Sequence, residues 1–379
     1  MADRAELVVI GAGPYAYSAA SCARDHGIDT RVVGLPMSFW REQMPNDMFL
    51  RSGPDWHLDT AGEHTFEAYF EDRGLSRAEN DPVPIGVFLD HTDWFRAQKG
   101  FDVDQRHVDT LEVDPAGAGF VATMEDGTTI TAEKVLAAPG IRHFAALPAW
   151  HEGVPEHRRA HTCDLVDFDS LAGARVVVVG GRQSAYEWAA LLCDHGAASV
   201  DVVHRHPAPA FERVSWQFVN PYVEQTLARR GWWRCLSADE QRAIALEFWQ
   251  VGRLTLEPWL TPRLGADLVT VHASCEVVDV EEGDEATVLG LTDRTRLTAD
   301  FVVFASGYRA DIRRVPYLEP LLDDLAVSDG FPQLSEGFET SVPGLYMTGF
   351  ASTRDFGPFY GFTKGCPSSA SIAVAEMLR

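Results

Sequence analysis

The sequence predicts an α/β protein that contains two copies of one β-α-β unit, and three observations support this fold class. The chain begins with ELVVIGAGPYAYSAASCARDHG, an apolar strand, a glycine turn and a helix of small residues, and TRVVG follows as the next strand. The same order returns in RVVVVGGRQSAYEWAALLCDHG and continues into the strand ASVDVVHRH. Further apolar strands recur as EKVLAAPGI, DFVVFASGY and GLYMTGF.

The segments between these strands predict the remaining organisation. We expect a helix from Thr92 to Gln98, a β-meander from Gly100 to Ala137 and a closing helix from about Pro367. Residues 217–264 have helical spacing, with Ser237 placed as an N-cap three residues before Glu240, and they predict a helical insertion. The expected domains are residues 1–145 with 300–379, and residues 146–299, which contain the insertion.

The composition of the chain argues against several classes of partner and site. Acidic residues outnumber basic ones by 56 to 32, and a net charge of -24 argues against nucleic acid and anionic membranes as partners. We find no leader and no apolar run of transmembrane length, so we expect a cytoplasmic protein without a membrane. The six cysteines form no CxxC pair and no zinc spacing. Reduced thiols are therefore expected, and no metal site.

The first glycine turn has the G-x-G-x-x-A pattern at Gly11, Gly13 and Ala16, with Pro14 at the helix start. Glycines there let the backbone approach a pyrophosphate, whose charge faces the helix N-terminus. The acid that usually follows the second strand and binds ribose is absent, because that position is Val33-Gly34. Trp40 and Arg41 are candidates to replace it, although Trp40 also suits core packing and Arg41 suits solvent.

The second turn is Gly180-Gly181-Arg182-Gln183-Ser184. Arginine replaces the middle glycine of the pattern, so the backbone cannot come as close to a pyrophosphate. A guanidinium could instead donate directly to phosphate oxygens. The alternative is a decayed site with a solvated Arg182.

The strand after this turn ends in His204-Arg205-His206, where a site for NADH would carry an acid. Cations suit the 2′-phosphate of NADPH. The sequence therefore favours NADPH over NADH, and an exposed basic cluster without a ligand is the alternative.

Together, these motifs resemble the flavoproteins with two dinucleotide-binding domains over nearly the whole chain, with Ala137-Ala138-Pro139-Gly140 and Ala305-Ser306-Gly307-Tyr308 in the places of the "ATG" and "ATGY" linkers. Within that group the chain is most similar to class B flavin monooxygenases and N-hydroxylating monooxygenases. The monooxygenase fingerprint survives only in part in WHEGVPEHRRAHT, where His161 stands for its histidine.

The resemblance implies two Rossmann-like, three-layer ββα domains, of which the FAD domain is discontinuous and the other binds NADPH. It also places the stretch RDFGPFYGFTKGCPSS, including Phe359, along the FAD ring, and Gly349-Phe350 where disulfide reductases commonly have a Gly-Asp pair that meets the flavin ribityl chain. Weak candidates for catalysis are Arg51, His57 and Tyr360. A local turn at Gly53 and Pro54 and ordinary core packing are the alternatives for them.

We therefore expect a monooxygenase that uses FAD and NADPH and inserts one oxygen atom from O2 into a small-molecule substrate through a flavin hydroperoxide. A homo-oligomer is compatible with the sequence. Two alternatives stay open: an NADPH-dependent flavoprotein reductase or oxidase, and a non-catalytic nucleotide-binding sensor.

Overall fold

The computed structural model describes residues 3–115, 117, 119–265 and 267–379. In its first half the strands and helices are β1 (Asp3–Ile10), α1 (Pro14–Asp25), β2 (Thr30–Val33), α2 (Ser38–Glu42), β3 (Phe49–Leu50), α3 (Phe66–Arg73), β4 (Val83–Pro84), α4 (Ile85–Gln98), β5 (Val103–Asp104), β6 (Val108–Val113), β7 (Phe120–Met124), β8 (Thr129–Ala137), β9 (Arg159–His161), β10 (Arg175–Val179) and α5 (Gln183–Asp194).

In its second half they are β11 (Ser199–His204), α6 (Asn220–Ala228), α7 (Trp232–Cys235), α8 (Ala238–Gly252), β12 (Val269–Ala273), β13 (Val277–Glu282), β14 (Thr287–Leu291), β15 (Arg296–Ala299), β16 (Phe301–Phe304), β17 (Val327–Ser328), β18 (Phe331–Pro332), β19 (Leu345–Met347), α9 (Thr353–Phe356) and α10 (Cys366–Met377).

The first sheet has the strand order β5-β2-β1-β8-β7-β6, and β19 pairs with β8. Strand β1 is parallel to β2 and β8, so Ile10 lies between Val33 and Ala137 at the carboxyl edge. Strands β6, β7 and β8 form the expected antiparallel meander. Helix α1 packs against α10, and buried alanines on both helices allow this close approach. We call this sheet and its helices the first unit.

The second sheet is parallel throughout, in the order β12-β11-β10-β16-β9. Strand β16 pairs with β10, with Val176 opposite Phe301 and Val179 opposite Phe304. The predicted boundary at residue 300 is therefore wrong, because Phe301–Phe304 completes the second sheet before the chain returns to the first. We call this sheet, with α5 and the antiparallel strands β13, β14 and β15, the second unit.

Residues 217–264 contain α6, α7 and α8, as the helical spacing predicts. Ser237 and Glu240 form the expected capping box at the start of α8. The insertion also contacts the first unit, because the Trp233 indole donates to the carbonyl of Arg354 at 3.0 Å. Helix α4 starts at Ile85, earlier than the predicted Thr92. In the described ranges, none of the helices has the length and hydropathy that crossing a membrane requires.

Candidate cofactor and substrate site

The turn after β1 has room for a phosphate. Gly11 has a φ of +112°, and a Cβ there would lie 2.4 Å from the carbonyl oxygen of Ala138, so only glycine fits. Gly13 differs, because a Cβ there would meet nothing within 4 Å. Gly13 is also the N-cap of α1 and offers no side-chain cap, while Pro14 begins the helix. The open space at Gly13 and the uncapped start of α1 fit the pyrophosphate of a dinucleotide.

The carboxyl end of β19 adds a polar group to this site. The Thr348 hydroxyl is buried, with no hydrogen-bond partner among the described residues. Gly349 follows with a φ of +81°, and a Cβ there would lie 3.5 Å from the Tyr15 ring. An unpartnered buried hydroxyl beside the first turn is what a bound polar cofactor would satisfy.

Tyr15 fixes the segment that the sequence analysis placed beside the FAD ring. Its hydroxyl donates to the carbonyl of Phe362 at 2.7 Å and to that of Tyr360. Phe359 and Tyr360 are fully buried among other aromatic rings, and burial raises the pKa of Tyr360 to about 12. Tyr360 therefore packs in the core, with its hydroxyl unpartnered among the described residues, and a catalytic role for it stays a prediction. Helix α10 begins after this segment without a side-chain cap.

The turn after β10 repeats the geometry of the first. Gly180 has a φ of +148°, and a Cβ there would lie 2.4 Å from the carbonyl oxygen of Ala305, as Gly11 does with Ala138. Gly181 is required for another reason, since a Cβ would lie 2.3 Å from the His204 ring. Arg182 is the N-cap of α5 and gives no side-chain cap.

The Arg182 side chain stacks on the insertion. Its guanidinium carbon lies 3.4 Å from the ring centre of Trp249 on α8. Burial, Arg253 and Arg205 together lower its pKa. Arg182 is therefore held beside the second turn and is not freely solvated. Ser184 is exposed, whereas Gln183 is buried and its side-chain oxygen accepts the Glu257 amide at 3.1 Å.

The three residues at the tip of β11 have different environments. His204 is buried, with Nδ1 2.9 Å from the carbonyl of His206 and Nε2 3.0 Å from the Tyr186 hydroxyl. Both ring nitrogens are thus engaged inside the protein, and His204 is corrected as a phosphate ligand. Arg205 is exposed at the tip, and His206 is half-buried with its ring stacked on His204.

The two candidates for the ribose contact, Trp40 and Arg41, also lie in different environments. Trp40 packs on Phe88, with ring centres 4.8 Å apart. Arg41 is exposed and forms an ion pair with Asp93 at 2.8 Å. Packing and ion pairing therefore account for both side chains.

Arg51 links the two units. It donates to the carbonyl of Gly252 at 2.7 Å and forms an ion pair with Glu257 at 3.2 Å, and both side chains are largely buried. Arg51 thus joins the loop after β3 to the insertion, and a catalytic role for it stays a prediction. His57 is half-buried, and burial lowers its pKa, which favours the neutral ring near pH 7. His161, the stand-in for the fingerprint histidine, is buried and lies 3.0 Å from the carbonyl of Gly307.

A cavity of about 460 Å³ lies at this junction. Its lining includes Arg51, Trp56, Asp81, Arg213, Trp216 and Glu257. Arg51 and Arg213 are each paired with an acid of this set, Glu257 and Asp81 respectively. We call Trp56, Trp216, Phe248 and Phe362 the aromatic wall, because neighbouring ring centres in it lie 5.3 to 5.9 Å apart. This wall joins the cavity to the segment that Tyr15 holds.

The sequence alone assigned no role to Arg253 or Lys364. Trp249 and Arg253 are four residues apart around the end of α8, so they share one helix face. The Arg253 guanidinium lies 5.2 Å from the Phe362 ring and the Lys364 ammonium 6.0 Å from the Trp56 ring. An arginine four residues after a tryptophan in a predicted insertion is the signal that could have found the pair.

The model of the pyridine nucleotide-disulphide oxidoreductase family matches residues 5–233. The chain belongs to this family. Membership confirms the predicted Rossmann-like α/β fold and the assignment as a flavoprotein oxidoreductase that uses FAD and a pyridine nucleotide.

Two curated proteins and one solved structure are similar to the chain. The chain is 25% identical over 347 residues to an FAD-dependent urate hydroxylase from Xanthomonas campestris pv. campestris, covering 83% of this chain and 71% of that protein. It is 30% identical over 203 residues to a ferredoxin–NADP reductase from Nocardioides sp., covering 53% and 54%. In fold it is similar to the ornithine N-hydroxylase of Kutzneria sp. 744, with a TM-score of 0.81, 18% identity and 99% of both chains covered. The resemblance to flavin-dependent monooxygenases is confirmed.

Proposed function

We propose that the protein is an FAD-dependent, NADPH-using monooxygenase that transfers one oxygen atom from O2 to a small organic molecule. One observation carries the proposal: Phe362, whose carbonyl Tyr15 holds, packs in the aromatic wall beside the cavity. Oxygen transfer needs a site from which water is excluded, and packed rings provide one. The urate hydroxylase and ornithine N-hydroxylase relatives support the same reaction class.

The first unit would hold FAD. Gly13 would leave room for the pyrophosphate, the free amides in the first turn of α1 would donate to it, and the Thr348 hydroxyl would be available to a polar group. The chemistry that FAD supplies when bound is acceptance of hydride from NADPH and activation of dioxygen. The amides that begin α10 stabilise negative charge at the edge of the site they face.

The second unit would hold NADPH. We assign Arg182 to the pyrophosphate and Arg205 to the 2′-phosphate, because Arg182 is fixed beside the second turn and Arg205 is exposed at the strand tip. Gln183 keeps the turn against Glu257, which in turn holds Arg51 of the first unit. These contacts connect the second turn to the loop after β3. All six cysteines are free, which supports a cytoplasmic location.

The experiment uses the purified protein with its bound flavin. We expect a yellow protein whose flavin is reduced by NADPH. With labelled dioxygen and a pool of small metabolites, we expect one labelled oxygen atom in a single product.

Two outcomes would contradict the proposal. Rapid electron transfer to ferredoxin without labelled product would favour the reductase, the function of the Nocardioides relative. A colourless protein that does not oxidise NADPH would favour the sensor.

A further inference from the structure

Two cations beside the aromatic wall form no ion pair with the acidic side chains that the structure describes. Arg253 faces Phe362, and Lys364 faces Trp56. Within the described residues, no ion pair forms at either side chain; the charges that influence Arg253 are other arginines, and those nearest Lys364 are the exposed Asp55 and Glu224. Both cations are nevertheless partly buried.

The chain does not lack acids to pair with them, since it has 56 acidic and 32 basic residues. Arg51, next to the same wall, pairs with Glu257, and Arg213 at the cavity pairs with Asp81. A partly buried cation without an anion costs free energy, because it loses hydration and gains no partner. Lys364 has the exposed Asp55 and Glu224 near it, but Arg253 is influenced only by other cations, so the anion that would pair with Arg253 has to come from outside the described residues.

Three neighbouring aromatic rings connect the two cations. Trp56 lies 5.9 Å from Trp216, and Trp216 lies 5.8 Å from Phe362. Lys364 thus faces the Trp56 ring of this run and Arg253 faces its Phe362 ring. The Phe362 carbonyl accepts from the Tyr15 hydroxyl at 2.7 Å, which connects the run to the start of α1.

We propose that the substrate is an anion with a planar apolar body, such as a small aromatic carboxylate, bound by Arg253 with its ring against Trp216 and Phe362. This rests on the proposed function, and it names the substrate class for that site. Lys364 adds positive potential beside the Trp56 ring. The same two cations disfavour a substrate that carries an ammonium group, because like charges in a partly desolvated site repel.

The phosphates of NADPH are the other source of negative charge, because Arg253 lies one helical turn from Trp249, which holds Arg182. The experiment therefore measures both ligands on the FAD-loaded protein. Phenylacetate, phenylacetamide and phenethylamine share one ring and carry charges of about -1, 0 and +1 near pH 7. Titration of each, followed by the visible absorption of the flavin, gives its dissociation constant, and NADP+ is titrated in the same way.

We expect phenylacetate to bind at least about tenfold more tightly than phenylacetamide, and phenethylamine to bind most weakly. Arg253→Met should weaken phenylacetate by about tenfold or more and change NADP+ binding by less than about threefold. The matched control is Arg229→Met, which removes an exposed arginine of the same insertion and should change neither. If Arg253→Met loses flavin, Arg253→Gln is the second neutral variant.

Equal binding of the three probes, or unchanged phenylacetate binding in a neutral Arg253 variant, would overturn the inference while leaving the proposed function intact. Weaker NADP+ binding with unchanged phenylacetate binding would assign Arg253 to the nucleotide and overturn it as well. A wild-type protein that neither carries FAD nor oxidises NADPH would overturn the proposed function first, and this inference with it.

Discussion

Gly13→Asp should raise the stability of the flavin-free protein and weaken its binding of FAD. Gly13 has φ −94° and ψ −172°, which any residue adopts, and a Cβ there would meet nothing within 4 Å. Aspartate is a favourable N-cap, and α1 has no side-chain cap at present. The flavin-free variant should therefore gain about 0.5 to 1 kcal/mol in its free energy of unfolding.

FAD binding should change in the other direction. The new carboxylate would accept the first-turn amides that the pyrophosphate needs and would repel its charge. Loss of charge-assisted hydrogen bonds alone should cost about 3 kcal/mol, a factor of about 150 in Kd. Gly13→Asn caps the helix without adding a charge, so it separates the competition for the first-turn amides from the charge repulsion. Urea unfolding of the flavin-free proteins and fluorescence titration with FAD measure both quantities.

Gly11→Ala is the contrasting variant. Its Cβ would lie 2.4 Å from the Ala138 carbonyl oxygen at a φ of +112°, so it should destabilise the flavin-free protein itself, by about 1 to 3 kcal/mol from backbone strain alone. If Gly13→Asp purifies with a full complement of FAD, or if it is less stable than wild type without flavin, the assignment of the open space at Gly13 to a phosphate is refuted.

Further predictions concern the second unit. Arg205→Ala should raise KM for NADPH by a factor equivalent to about 1 to 3 kcal/mol and leave NADH unchanged, and equal losses would refute the 2′-phosphate contact. Arg182→Ala should slow flavin reduction by both nucleotides, with Arg182→Gly intermediate, measured by stopped flow; identical rates in all three proteins would make Arg182 irrelevant to binding. Burial raises the pKa of Glu187 from 4.5 to about 7. Because the folded state binds the proton more tightly, stability should fall by at most about 3 kcal/mol between pH 4.5 and 7 and then level off. Glu187→Gln should abolish this fall in denaturant unfolding at pH 5 and pH 8, and a parallel fall in both proteins would exclude Glu187 as its source.

The glycine turns could be predicted from sequence because their geometry is local. A strand, a tight turn and a helix lie in one continuous stretch, and the turn admits only glycine at Gly11 and Gly180. The capping box of Ser237 and Glu240 was predictable for the same reason. Each of these features depends on residues a few positions apart.

The predictions that the structure changes depend on contacts between residues that are far apart in the sequence. The pairing of β16 with β10 joins residues more than a hundred positions apart, so the strand at Phe301–Phe304 could equally have belonged to either sheet. His204 was interpreted as an exposed cation at the strand tip, but the absence of a side chain at Gly181 lets its ring turn inward. The partner of Arg51 comes from the insertion, whose position no local pattern specifies.

The Arg51 contacts have a consequence for how hydride transfer is organised. Arg51 holds the loop after β3 against the insertion through its bonds to Gly252 and Glu257. The Glu257 amide is in turn bonded to the side chain of Gln183 in the second turn. We therefore expect the two units to keep their relative position during turnover. The nucleotide has to reach the flavin with the units in place, so access depends on smaller movements of side chains such as the Arg182 and Trp249 stack. Turnover should then be sensitive to crowding at that stack and insensitive to cross-links that fix one unit to the other.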